Sequence, residues 1–291
     1  MAKLNQQITL PDGRKLGYDE HGPPDGEPLF YFHGTPSSRI EFNQVRNDSL
    51  LESLNLRLIV PDRPGMGLSS LQPGRCFLDW PGDVIFLADH LGFDRFAIVG
   101  YSGGGPYAAA CARSIPERIT KAGIVSGTGP FTEQALMEGI PKTNRDYFDL
   151  SHQNPWLSRM MIRMMGMMTR IAPGKVIENM MSTLPEADRI VMNQPDVQQI
   201  FLAMFREALR QGPRGAQHET RLMVMAWDFK PQDIRVPVYL WHGEEDRNAP
   251  IAMGHYMANA IPNSQAKFYP GEGHLSLFKK YAEEIFRTLR V

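Results

Sequence analysis

One serine in this sequence stands in a pattern that suits a nucleophile. Gly100-Tyr101-Ser102-Gly103-Gly104 fits G-x-S-x-G, follows the apolar run 96–99 and leads into a small-residue helical stretch at Gly105. Such a tight turn strains the serine backbone, and the outer glycines remove the collisions that side chains would cause. The serine then lies at the amino end of a helix, where free N–H groups favour developing negative charge. The flanking strand and helix favour this interpretation over a glycine-rich turn with an incidental serine.

A serine hydroxyl is a weak nucleophile until a base takes its proton, and eight histidines compete for that role. In enzymes with this serine turn, an acid and then a histidine follow along the chain. His274 lies in Gly271-Glu272-Gly273-His274, between the predicted strand 266–269 and the last predicted helix. His33 and His242 also follow strands, but neither comes after a suitable acid. We therefore expect His274 to be the base and the remaining histidines to be structural or on the surface.

The acid that would orient this base is Asp246. It follows the predicted strand 236–241 in the segment Gly243-Glu244-Glu245-Asp246, ahead of Ala249-Pro250. The spacing favours the aspartate over Glu244 and Glu245, which we interpret as solvated loop charges. Loops at the carboxyl ends of parallel strands converge over the sheet. Ser102, Asp246 and His274 are therefore expected to meet there.

Acyl transfer also requires hydrogen-bond donors for the oxyanion of the tetrahedral intermediate. One expected donor is the backbone N–H of Gly103, directly after the nucleophile. The other is the backbone N–H of Thr35, in His33-Gly34-Thr35-Pro36 after the predicted strand 29–32. A plain turn is the alternative for this loop, because Gly and Pro mark turns generally. Its place in chain order favours the functional interpretation.

The elements that would position these residues follow a regular rhythm. Short apolar runs bounded by Gly, Pro or Asp predict buried strands at 29–32, 56–60, 96–99, 122–125, 236–241 and 266–269. Apolar residues at helical spacing predict helices over 79–91, 103–113, 253–260 and 275–289. This alternation is typical of an α/β fold, with a parallel sheet covered by helices on both faces.

Between about 131 and 226 the strand signals stop and Met-rich helical patterns with several prolines replace them. The same α/β rhythm then resumes, so a helical insertion, or cap, explains the pattern more economically than two independent domains. We predict a core of residues 1–130 and 227–291 and a cap of 131–226. The methionines, from Met160 to Met225, would adapt to an apolar substrate or pack the cap onto the core, and packing is favoured for most of them. The same two roles are open for Phe131, Trp156 and Trp227.

Composition excludes several other classes. Lys plus Arg number 31 against 32 Asp plus Glu, which gives no electrostatic reason to expect nucleic acid or an anionic membrane as a partner. No segment approaches the roughly 18 uninterrupted apolar residues of a spanning helix. The first residues lack the apolar core of a secretory signal, and Cys76 and Cys111 are not spaced as a metal or redox pair. We therefore expect a cytoplasmic protein.

Together these motifs resemble the α/β-hydrolase superfamily over essentially the whole chain. A further matching segment is Asp62-Arg63-Pro64-Gly65-Met66-Gly67-Leu68-Ser69, to which we assign a structural role. The resemblance implies an eight-stranded, mostly parallel sheet and a helical cap inserted after the sixth strand. Ser102 replaces the aspartate of haloalkane dehalogenases and epoxide hydrolases, so those reactions are disfavoured. The His-Gly-Thr-Pro loop differs from the His-Gly-Gly-Gly of the hormone-sensitive lipase branch.

These observations predict a carboxylesterase-like serine hydrolase that cleaves small to medium apolar esters through an acyl-enzyme. Its substrate would be a small molecule, with no nucleic acid or membrane as partner and no metal or organic cofactor required. The same three residues could also serve lactones, amides or carbon–carbon bonds. A different class is a ligand receptor with slow or vestigial hydrolase activity. A purely structural module is disfavoured, because the set of catalytic residue types is complete.

Overall fold

A single mixed sheet forms the centre of the protein. The computed structural model describes residues 2–290, and its eight strands lie in the order β1-β2-β4-β3-β5-β6-β7-β8. Strand β2 is antiparallel to β1 and β4, and the other neighbouring pairs are parallel. The strands are β1 (Lys3–Thr9), β2 (Lys15–His21), β3 (Glu27–Phe32), β4 (Leu56–Pro61), β5 (Phe96–Tyr101), β6 (Ile119–Val125), β7 (Val238–Gly243) and β8 (Ser264–Tyr269). The predicted fold class is confirmed.

Strand residues alternate between two hydrophobic layers. Phe30 and Phe32 face one cluster, whereas Leu29 and Tyr31 face the other, as the two-residue period of a strand requires. The first cluster is completed by α2 (Trp80–His90), α3 (Gly105–Ser114) and α10 (Ile251–Ala260), and the second by α1 (Asp48–Ser53) and α11 (His274–Leu289). Helices therefore cover both faces of the sheet, as predicted.

The first two strands carry no clear hydrophobic signal, and the residue pattern did not predict them individually. Strand β1 lies at the sheet edge and is mostly exposed, so it needs few apolar residues. Strand β2 is almost entirely buried, yet it contains Asp19 and Glu20. These carboxylates pair with Arg39 at 3.1 Å and with Arg57 at 2.6 Å. Buried ion pairs therefore replace the apolar alternation by which a strand is usually recognised.

The segment between β6 and β7 is helical. Three of its helices begin at a proline, a residue preorganised for the first helical position. The helices are α4 (Lys142–Gln153), α5 (Pro155–Ile171), α6 (Pro173–Met181), α7 (Glu186–Met192), α8 (Pro195–Ala208) and α9 (Arg214–Val224). We propose that residues 131–226 form a cap on a core made of the rest of the chain. The two end positions of that division, 1 and 291, lie outside the described residues.

Three carboxylates attach these helices to the rest of the molecule. Asp188 on α7 accepts hydrogen bonds from the first residues of α11. Glu207 on α8 lies 2.8 Å from Arg39, and Glu219 on α9 lies 2.9 Å from Arg63. Each carboxylate is far along the chain from its partner. These helices are therefore joined to the rest of the molecule by polar contacts as well as by apolar packing.

The methionines of the cap divide into distinct environments. Met192, Met204 and Met223 are buried, which is compatible with packing. Met164 and Met167 on α5 are 54% and 53% exposed, and the expectation that most methionines pack is wrong for this helix. Trp156 on the same helix is also exposed, whereas Trp227 stacks on Phe229 in the core. Within residues 2–290 no helix combines the length and apolarity needed to cross a membrane.

Candidate active site

Ser102 lies on a strained turn between β5 and α3. Its φ angle is 53°, in the left-handed region that residues with a side chain rarely adopt. A Cβ at Gly100 would come within 3.0 Å of the Gly104 carbonyl oxygen, and one at Gly104 would come equally close to the Phe32 carbonyl oxygen. Only glycine fits at these two positions. The turn has the backbone geometry that the G-x-S-x-G pattern predicted.

The proposed oxyanion donors lie beside this serine. A short 3-10 turn, Ser102–Gly104, continues directly into α3, so the Gly103 N–H belongs to the first turn of a helix and has no partner within it. A Cβ at Gly103 would lie 2.6 Å from the Thr35 Oγ1 atom, which shows how closely the two loops approach. The Thr35 N–H has no hydrogen-bond acceptor among the described residues. Among the described residues both N–H groups are therefore without an acceptor, and the two loops that carry them lie in contact.

His274 and Asp246 form a buried hydrogen-bonded pair. The Nδ1 atom of His274 lies 2.7 Å from the Oδ2 atom of Asp246. The other carboxylate oxygen accepts hydrogen bonds from the N–H groups of Asn248 and Ala249, both at 2.9 Å. Because a carboxylate only accepts, Nδ1 carries the proton and Nε2 is left free to act as a base. The pair has the geometry that a general base and its orienting acid require.

The charges around this pair set its protonation. Burial by itself lowers the pKa of His274, but the negative charges of Asp246, Asp188 and Glu41 outweigh it, so the pKa of His274 is raised above 6.5. Burial raises the pKa of Asp246, but the imidazole beside it outweighs burial and the pKa is lowered. Asp246 therefore stays ionised and stabilises the imidazolium that forms when His274 takes a proton.

The other histidines and glutamates that the sequence offers as base or acid are either buried in structural hydrogen bonds or exposed. The Nε2 atom of His242 lies 2.7 Å from the Ala249 carbonyl oxygen, which only accepts, so this nitrogen is occupied as a donor. His33 is fully buried, with Nδ1 2.8 Å from the Gly34 carbonyl oxygen and Nε2 3.2 Å from the Arg63 N–H. Glu244 and Glu245 are exposed. His33 and His242 are therefore buried and hydrogen-bonded, and the two glutamates lie on the surface, which agrees with the places predicted for them.

Ser102 and His274 open onto one cavity of about 300 Å³. No hydrogen bond joins the Ser102 hydroxyl to the imidazole among the contacts of the described residues. Such bonds are often long in unliganded enzymes and tighten when substrate binds. The structure thus brings Asp246 and His274 into direct contact and places Ser102 in the same cavity.

The cavity wall is largely apolar, and most of its apolar side chains come from the proposed cap. Phe131 is part of it, together with four of the methionines and several aromatic side chains. The cap residues in the wall include Tyr147, Phe148, Met165, Met180, Leu184, Phe201, Met204, Phe205 and Met223. No Lys or Arg of the described residues lines the cavity, whereas the carboxylate of Glu41 does. The site therefore suits a neutral, apolar ligand better than an anionic one.

Three acidic residues that belong to no recognised sequence motif support this site. Glu41 accepts hydrogen bonds from the Gly34 N–H at 2.7 Å and from the Tyr31 hydroxyl at 2.8 Å, and burial raises its pKa. Glu219 accepts a hydrogen bond from the Thr35 hydroxyl at 3.0 Å. Asp188, on α7, accepts a hydrogen bond from the N–H of His274, the first residue of α11. Charges on amphipathic helices usually indicate a solvated face, so no local signal separates these residues from exposed ones.

Glu219 also lies at the centre of a buried charge network. It pairs with Arg63 and Arg75 and accepts a hydrogen bond from the Tyr107 hydroxyl at 2.8 Å. Burial raises the pKa of Glu219, but the two guanidinium groups outweigh it, and the net result is a strongly lowered pKa. Arg63 in turn donates to the Thr35 hydroxyl at 2.8 Å. The network thereby holds the loop that carries one of the oxyanion donors.

Comparison with known proteins places these features in context. Residues 27–281 match the family model of the alpha/beta hydrolase fold. Over 92% of each chain, the sequence is 25% identical to the bifunctional esterase/perhydrolase DCH of Acinetobacter calcoaceticus and 26% identical to a non-heme haloperoxidase of Rhodococcus erythropolis. The solved structure of a thermophilic esterase from Thermogutta terrifontis superimposes with a TM-score of 0.69 at 24% identity, covering 99% of this chain and 97% of that one.

Proposed function

This chain belongs to the alpha/beta hydrolase fold family, and from the geometry of its site we propose that it is a serine ester hydrolase. The observation that carries the proposal is the buried His274–Asp246 pair, which opens onto the same cavity as Ser102 on its strained turn. The esterase-named relatives point in the same direction. Membership of the family supports hydrolase activity, and ester cleavage is the more specific part of the proposal.

The proposed reaction proceeds through an acyl-enzyme. His274 Nε2 removes the Ser102 proton as the serine oxygen attacks the ester carbonyl carbon. The Thr35 and Gly103 N–H groups hold the oxyanion of the tetrahedral intermediate, which collapses as the imidazolium protonates the leaving alkoxide. Water, deprotonated by the same imidazole, then attacks the acyl carbon, and Ser102 departs with the proton. Asp246 remains ionised throughout.

The substrate class follows from the cavity. A volume of about 300 Å³ with an apolar wall suits a small to medium acyl or alcohol group. The presence of Glu41 in the wall, and the absence of Lys and Arg from it within residues 2–290, disfavour an anionic acyl group. We therefore propose neutral short-chain esters as the preferred substrates.

The direct test replaces the nucleophile. Ser102→Ala should lose about 10³-fold or more of the wild-type kcat on p-nitrophenyl acetate and butyrate. Ser114→Ala, at the other end of α3, is the matched control and should keep wild-type activity. Circular dichroism would show that both variants fold. Wild-type turnover in Ser102→Ala would refute the assignment.

A second candidate is perhydrolysis, because one relative matched over 92% of its length is named an esterase/perhydrolase and another a haloperoxidase. Hydrogen peroxide would replace water in the second step, attack the acyl-enzyme and release a peroxy acid, while Ser102 regains its proton through His274. Peroxy acid formed from acetate ester and hydrogen peroxide can be measured by its oxidation of bromide. A signal that disappears in Ser102→Ala would support this activity, and no signal above the uncatalysed rate would exclude it.

Competing uses of the same residues can be separated in one panel. Anilides, and diketones cleaved at a carbon–carbon bond, should turn over at least about tenfold more slowly than the best ester of matched size, because their acyl groups are less reactive than that of an ester. A lactone is a cyclic ester, so faster turnover of a lactone than of the best open-chain ester would favour the lactonase alternative. Tight binding combined with ester turnover far below about 1 s⁻¹ would favour the receptor alternative instead.

A further inference from the structure

The helix that carries the proposed base is capped by a residue of another helix. Helix α11 begins at His274, and the carboxylate of Asp188 on α7 accepts hydrogen bonds from the first three N–H groups of α11. The distances are 2.8 Å to the His274 nitrogen and 2.9 Å to the nitrogens of Leu275 and Ser276. Asp188 is fully buried. One carboxylate thus serves three backbone donors that would otherwise have no partner.

This arrangement replaces an ordinary helix cap. The residue directly before a helix usually supplies the capping oxygen, but here that residue is Gly273, which has no side chain. A Cβ at Gly273 would lie 2.5 Å from the Asp188 carboxylate, so glycine leaves the space that the carboxylate fills. Asp188 and His274 are 86 residues apart along the chain. The amino-terminal N–H groups of α11 therefore have these hydrogen-bond acceptors only when α7, which belongs to the proposed cap of residues 131–226, is docked.

We infer that Asp188 is a positioning residue for His274, so that the imidazole is oriented by α7 of the insertion as well as by Asp246. The inference rests on the proposed role of His274 as the base. Because His274 is the first residue of α11, the hydrogen bond to its N–H holds the backbone from which the imidazole projects. A displacement of about 1 Å at a catalytic group is enough to cost about 100-fold in rate.

The negative charge of Asp188 adds a second effect. Burial raises the pKa of Asp188, and the Ser276 N–H and the imidazole of His274 partly oppose that effect. The negative charge of Asp188 in turn helps to raise the pKa of His274. The charged and titratable groups that face His274 are Asp188, Asp246, Glu41, His242 and Tyr101. Removal of one negative charge from this set destabilises the imidazolium and should lower the pKa of His274.

Two variants separate the effect of Asp188 on the position of His274 from its effect on the charge around His274. Asp188→Ala removes all three hydrogen bonds, and its kcat for p-nitrophenyl butyrate should fall about tenfold or more while KM stays within about twofold. Asp188→Asn retains one acceptor oxygen and loses the charge, so the acid limb of its kcat/KM profile should move to lower pH. Glu207→Ala is the matched control, because Glu207 also joins the insertion to the core but bonds Arg39 instead of α11.

A measurement that does not depend on activity completes the test. The imidazole pKa of His274, followed by NMR titration, should be lower in Asp188→Asn than in the wild type, because the variant lacks the negative charge of Asp188. An unchanged pKa would overturn the inference, and it would decide the matter even if Asp188→Ala failed to fold. Wild-type kcat in Asp188→Ala, or an equal loss in Glu207→Ala, would also overturn it. A wild type that hydrolyses no ester would refute the proposed function, and the NMR comparison would still test Asp188.

Discussion

At the scale of single residues, the protonation of His274 decides whether the proposed chemistry can begin. A general base must be neutral to accept a proton, so kcat/KM should rise with pH through the pKa of His274. That pKa is raised above 6.5, because nearby carboxylates outweigh the effect of burial. The activity should therefore reach half of its alkaline plateau above pH 6.5. A pH–rate profile on p-nitrophenyl butyrate measures this, and a midpoint below 6.5 would contradict a raised pKa of His274.

Asp246→Asn tests the partner of that base. The amide is similar in shape but removes the negative charge that stabilises the imidazolium, and it can hold Nδ1 in the wrong tautomer. We expect kcat to fall about 10³- to 10⁴-fold, as in other enzymes with this arrangement. The acid limb should also move to lower pH. Glu245→Gln in the same loop is the control, because this exposed side chain should change neither quantity.

At the scale of elements, the turn between β5 and α3 depends on glycines that leave no space for a side chain. Gly104→Ala should lower the free energy of unfolding by about 2–3 kcal/mol, because the added Cβ meets the Phe32 carbonyl oxygen and the backbone has to shift. Esterase activity should fall with it, since Ser102 moves with the turn. Urea denaturation and the p-nitrophenyl butyrate assay measure the two effects.

Gly82→Ala is the matched control for that substitution. Gly82 lies inside α2, where a Cβ would meet nothing within 4 Å. Alanine should stabilise this helix by about 0.5–1 kcal/mol, because glycine loses more backbone entropy on folding. Equal effects of the two substitutions would show that the turn tolerates a side chain and that the steric argument is wrong.

At the scale of the whole molecule, the proposed cap and core share a buried charge network. Glu219 on α9 bridges Arg63 and Arg75 of the core, and the Thr35 hydroxyl donates to it. Glu219→Ala would leave two buried guanidinium groups without this carboxylate. Breaking a buried pair from one side is strongly destabilising, so we expect a loss of about 3 kcal/mol in the free energy of unfolding. Asp146→Ala removes an exposed pair with Lys142 and should cost less than about 1 kcal/mol.

The pH dependence of stability gives the same network a second test. The pKa of Glu219 is lower in the folded protein than the value of about 4.3 for an unfolded glutamate. The contribution of Glu219 to the free energy of unfolding is therefore complete above about pH 4.3 and is lost progressively as the pH falls below that value. Urea midpoints of wild type and Glu219→Ala should differ most at neutral pH and converge in acid. A difference that stayed constant with pH would contradict the pairing.

The local sequence determined the serine turn and the strand and helix beside it, because their geometry depends on adjacent residues. A turn that needs glycines on both sides of a serine must be encoded by adjacent residues, so Gly100–Gly104 and the flanking β5 and α3 could be predicted. Asp246 and His274 could be predicted because both follow strands whose carboxyl ends converge. The eight-stranded fold followed from the resemblance that these motifs carry, and it is confirmed.

The tertiary structure alone decided which charged residues are buried and with which partners. Asp188, Glu219 and Glu41 lie on helices or turns whose local pattern is that of a solvated surface. Strand β2 was missed for the same physical reason, because its carboxylates are neutralised by arginines distant in the chain. A charge can be buried only when its partner is nearby in space. That proximity is a property of the docked elements, and no window of neighbouring residues contains it.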